Sequence, residues 1–75
     1  MWKEGSLRIN DSVFHYWMKV YETGSEWGID GGKVSKLMLK HDGKVAANYD
    51  RGWDVKPADP DTQLALEILL HSENH

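Results

Sequence analysis

The segment Asn48-Tyr49-Asp50-Arg51-Gly52-Trp53-Asp54 sets two aromatic rings, a guanidinium and two carboxylates around one glycine. An arginine beside two aspartates can form bidentate pairs, and it can stack on an indole or phenol ring. The segment therefore reads either as a recognition patch or as a self-bonded corner that fixes the chain between sheet and helix. The corner is the preferred reading, because such a crossing needs a hydrogen-bonded network to set its angle. With Trp27 added, the residues Tyr49, Asp50, Arg51, Trp53 and Asp54 make up the candidate binding set. No catalytic residue and no metal ligand is assigned. The alternative is a small enzyme or metal-binding protein that uses Asp50, Arg51 and Asp54, with Glu26 as a further carboxylate.

Other chemistries fail on spacing. The glycine-rich stretch 22–33 contains Gly32-Lys33, but a phosphate loop needs Ser or Thr at 34 and Gly at 27, and the residues there are Val34 and Trp27. The histidines at 15, 41, 71 and 75 have no zinc-like pairing. Asp50, Asp54, Asp59 and Asp61 cluster in sequence without the calcium-loop pattern. Ser12, Ser25, Ser35 and Ser72 lack a nucleophile elbow. Lys33, Lys36, Lys40 and Lys44 run along one stretch and, with Trp17 or Trp53, could track a single strand of nucleic acid. The rival reading, lysines guarding an exposed sheet edge, is preferred because the chain is acidic overall.

The totals bound what these residues can serve. With 75 residues there is room for one domain, and no cysteine is available for disulfides or thiolate metal sites. Net charge is −3, unevenly spread: residues 1–49 carry 7 Lys/Arg against 6 Asp/Glu, and residues 50–75 carry 2 against 6. Nucleic acid is thus a disfavoured partner. No apolar run reaches the roughly 20 residues that span a bilayer, and the opening residues have no apolar signal region. The expectation is a cytoplasmic protein with no membrane partner and no cofactor. Four Trp and three Tyr exceed what so small a core can enclose. Some rings should stand half exposed, where they commonly mark contact surfaces.

The elements that position these residues follow from periodicity. Leu7 and Ile9 alternate with polar residues, Asn10-Asp11-Ser12 supplies a turn, and 13–21 is β-branched and aromatic. Phe14, Tyr16, Met18 and Val20 are assigned to the core; Val13, His15, Trp17, Lys19 and Tyr21 face away. Residues 22–33 form a loop, with positive φ expected at Gly24, Gly31 and Gly32. A strand over 34–40 carries a bulge near Ser35-Lys36, because Val34 and Leu37 are an odd number of residues apart. Asp42-Gly43 turns it into a return strand whose Val45, Ala47 and Tyr49 share one face. Asp59 caps a helix that begins at Pro60 and runs to about Ser72. Ala65, Leu66, Ile68 and Leu69 centre its buried face. The fold expected is α+β: a four-stranded antiparallel sheet of two hairpins, 6–21 and 34–49, covered on one face by a single C-terminal helix. The apolar arc of that helix is wider than one small sheet requires.

Two stretches, Gly28-Ile29-Asp30-Gly31-Gly32-Lys33-Val34-Ser35-Lys36-Leu37 and Asn48-Tyr49-Asp50-Arg51-Gly52-Trp53-Asp54, resemble the signatures of a short bacterial and phage domain family of unknown function. The resemblance covers about residues 5–70. It implies a bacterial setting, Gram-positive or prophage, and a cytoplasmic protein, and it carries over no catalytic residue. The functional expectation is an uncharacterised, non-enzymatic protein-interaction module, its partner another protein or a second copy of itself.

Overall fold

The computed structural model describes residues 1–74; His75, and with it any metal role for that histidine, lies outside the described residues. Five strands form one antiparallel meander in which each strand pairs with its neighbours in sequence: β1 (Trp2–Ile9), β2 (Ser12–Val20), β3 (Val34–His41), β4 (Lys44–Asp50) and β5 (Trp53–Val55). A helix, α1 (Pro60–Asn74), completes the α+β fold. The expected four strands are therefore corrected to five. The added strand comes from the 48–54 segment, which is a third hairpin and not a crossing: Tyr49 pairs with Trp53 and Asn48 with Val55.

Local chemistry accounts for most of the turns. Asp42 and Gly43 both have positive φ, as a two-residue hairpin of matching twist requires, and His41 pairs with Lys44 across it. Asn10, a residue that tolerates the left-handed region, turns β1 into β2. In the loop the positive angles fall at Asp30 and Gly31, while Gly32 is extended at φ −88°. Gly28 is required for a steric reason, since a Cβ there would lie 2.0 Å from the Gly32 carbonyl oxygen. The β3 bulge sits at Ser35, where Lys19 pairs with Lys36 but Val20 pairs with Val34. A second irregularity on β4 shifts Ala47 and Val45 out of phase. Val45 is therefore 41% exposed, not on the face shared by Ala47 and Tyr49.

The core lies on one face of the sheet, from Ile9, Phe14, Met18, Val34, Leu37, Leu39, Ala47 and Tyr49 to Ala65 and Leu69 of the helix. The helix packs chiefly on β1, β2 and β3. The loop reaches the core as well, through the buried Ile29. Asp59 caps α1 with one carboxylate oxygen on the Thr62 amide and the other on the Thr62 hydroxyl, both at 2.8 Å. Asn10 and Ser12 donate to Asp61 at the start of the helix, and Lys3 binds Glu73 at its end at 2.7 Å. Thr62, Ala65 and Leu69 form the buried stripe, and Ile68, expected at its centre, is 46% exposed. The hydroxyl of Thr62 is satisfied by Asp59, so Thr62 can lie in the core, whereas Ile68 is about 120° round the helix from it.

Candidate functional site

The sheet face opposite the helix carries every second side chain of the strands. Cross-strand register lines them up in rows: Trp2, Lys19, Lys36 and Asp50, then Glu4, Trp17, Met38 and Asn48. None of the four tryptophans is fully buried: Trp53 packs against the core, whereas Trp2 is 61% and Trp27 54% exposed. The Trp17 indole nitrogen donates to the Glu4 carboxylate. The Lys40 ammonium lies 5.8 Å from the Trp17 ring centre. Because β3 is the central strand, Lys36 and Lys40 cannot guard an edge, and the edge-lysine reading is corrected.

At one end of this face is a cleft of about 340 Å³ lined by Lys19, Tyr21, Thr23, Ser25, Trp27, Ser35, Lys36 and Arg51. Three segments build it. The paired ends of β2 and β3 supply the two outward-facing lysines and, at the bulge, the buried Ser35. Residues 21–33 supply the hydroxyls and the Trp27 ring, held together by Ser25 N–H to Gly32 and Gly28 N–H to Ser25. The β4–β5 turn supplies Arg51, whose φ of 60° is uncommon for a side chain of that size. The Tyr49 hydroxyl donates to the Trp27 carbonyl at 3.0 Å and ties the loop to the core. Trp53 stacks edge-on against Tyr49, with ring centres 5.1 Å apart.

The candidate set is thus only partly gathered. Trp27 and Arg51 line the cleft, and Tyr49 and Trp53 support it from the core side. Asp50 meets Lys36 at 3.7 Å, while Asp54 accepts from Asn48 at 3.5 Å on the outer face. The bidentate Arg–Asp pairing expected within 48–54 does not form among the described residues. Arg51, with a left-handed backbone, lines the cleft instead. No group of three or more His, Asp or Glu among the described residues could hold a metal ion. Sequence reading did not single out Lys19, Tyr21 or Thr23, and it weighed Lys36 only as a nucleic-acid or edge lysine and Ser25 and Ser35 only as nucleophiles. The available signal was the pairing of Lys19 with Lys36, like charges directly opposed across two strands.

Electrostatics reflect this crowding of cations. Lys19 lies 5.9 Å from the Trp2 ring centre and 5.4 Å from that of Tyr21. Its hydrogen bond and its charge hold the Tyr21 phenol below the usual tyrosine value, with smaller contributions from Ser35 and Arg51. The cleft thus gathers two lysines and an arginine around two exposed rings, with Asp50 beside Lys36.

Residues 1–74 match the family described as a domain of unknown function, DUF7678. The chain belongs to that family. No curated protein and no solved structure matches it. In this DUF7678 domain, among the described residues, no helix is long and apolar enough to cross a membrane.

Proposed function

We propose that the chain is a non-enzymatic protein-interaction module whose contact surface is the sheet face opposite the helix. The observation that carries this reading is the placing of Trp2 and Trp17 outside the core, on that open face beside Met38. Tryptophan and methionine are enriched where proteins meet, and rings anchor contacts at small entropic cost. The alternative, an enzyme or metal site on Asp50, Arg51 and Asp54, has less support, because the two carboxylates engage different residues and Arg51 turns away from both.

A second reading is favoured by one observation. Leu64 and Ile68 are 44% and 46% exposed one turn apart on the helix, where a second copy of the chain could bury them. A photo-crosslinking residue placed at Met38 or at Ile68 in cells of the native host separates the two. A discrete adduct from position 38 with none from position 68 supports the sheet face. An adduct from position 68 alone, of twice the chain mass, overturns it in favour of a helix-mediated homodimer.

A further inference from the structure

The cleft at the end of the sheet has a charge arrangement that folding alone does not explain. Lys19 and Lys36 are direct cross-strand partners, and like charges so placed destabilise a sheet. Arg51 adds a third cation from the β4–β5 turn, in a backbone region where long side chains are uncommon. Glycine follows directly at position 52 and, unlike Arg51, is not at positive φ. Backbone strain held at one residue, with its side chain aimed into a cleft, points to function at that residue. Asp50 engages Lys36, which leaves Lys19 and Arg51 facing the cleft without a carboxylate partner among the described residues.

The remaining lining narrows the ligand. Ser25 and Thr23 bring hydroxyls that can donate to oxyanions, and Trp27 brings a ring that is 54% exposed. A guanidinium and ammonium groups around donor hydroxyls match a phosphate monoester, which accepts several charge-assisted hydrogen bonds. An exposed indole beside it offers a stacking surface for a planar base. A cavity of about 340 Å³ lies at the small end of the range for small-molecule pockets. We infer that this cleft binds a nucleoside monophosphate, with Lys19, Lys36 and Arg51 holding the phosphate and Trp27 stacking on the base. The site lacks the phosphate-loop motif and uses side-chain cations where that motif uses backbone amides. It stands independently of the protein-contact face proposed above, although Lys36 borders both.

The test is a titration of the 15N-labelled chain at low salt with adenosine monophosphate, ribose 5-phosphate or adenosine, followed at the amides of Ser25, Trp27 and Arg51. Adenosine monophosphate should saturate with a Kd on the order of 0.1–1 mM, each fragment binding roughly tenfold or more weakly. Arg51→Gln should weaken the nucleotide about tenfold and leave adenosine unchanged. Trp27→Ala should weaken the nucleotide about tenfold and leave ribose 5-phosphate unchanged. Both residues are exposed, and the dispersion of the remaining amide signals reports that the variants are folded. Ribose 5-phosphate binding as tightly as the nucleotide overturns the inference, as does the absence of saturation. Affinity that grows with oligonucleotide length, with shifts spreading to Trp17 and Lys40, overturns it in favour of a bound strand.

Discussion

At Asp59 the start of the helix rests on one carboxylate gripping one residue twice. The Thr62 amide, and then its hydroxyl, hold that carboxyl below the usual carboxylate range. A lowered folded-state value means the cap contributes fully above the usual range and is lost as pH falls through the lowered value. Thr62 is 1% exposed, and Thr62→Val keeps its shape while removing the hydroxyl donor. We expect a loss of about 0.5–1.5 kcal/mol at neutral pH in urea unfolding, shrinking toward zero in strong acid as Asp59 protonates. A difference independent of pH would show that the hydroxyl acts by packing alone. Asp59 was legible from sequence because capping chemistry is local and depends on residue type. Arg51 was not, because nothing in an arginine announces a left-handed backbone, and its neighbours in sequence suggest pairing with Asp50 and Asp54.

The helix shows how an apolar arc wider than its contact divides between core and solvent. Six of its residues are apolar, and an ideal 100° projection centres them between Ala65 and Leu69, with Leu64 and Ile68 on one flank of the arc. The sheet beneath accepts a narrower stripe of Thr62, Ala65 and Leu69, which leaves Leu64 and Ile68 facing outward. Leu69→Ala should cost about 2–5 kcal/mol, and Ile68→Ala less than about 1 kcal/mol. Equal losses in chemical denaturation would mean that the phase of the helix is wrong or that Ile68 is covered by a partner. The two hairpins, the Ser35 bulge and the core face of β2 were readable because strand alternation and turn residues act over short distances. The fifth strand was hidden because its Arg-Gly turn resembles no favoured hairpin dipeptide and its three residues are too few to show alternation. The phase of β4 was lost for a related reason, since one irregularity reverses every side chain that follows it.

For the molecule as a whole, net charge proved a poor guide to its surfaces. A total of −3 averages a helix bearing Asp61, Glu67 and Glu73 with an open sheet face bearing Lys19, Lys36 and Lys40. Net charge disfavours a nucleic-acid partner only on average, whereas binding depends on the charge of a patch. The cover over the core is also made in two parts. The helix is fastened at both ends, through Asp61 to the first turn and through Glu73 to Lys3, and it lies chiefly on β1 to β3. Residues 21–33 bring Ile29 to the same core and hang on the sheet by few bonds, among them the one from the Tyr49 hydroxyl. Segments with few fastenings open at a fraction of the global unfolding free energy. In native-state amide exchange, Gly28 and Gly32 should therefore lose protection well before Leu37 and Leu39 of β3. If the four exchange together, loop and sheet form a single cooperative unit. Otherwise the loop that shapes the cleft can breathe while the sheet stays shut, and a ligand caught beneath it would be felt first as a slowing of that breathing.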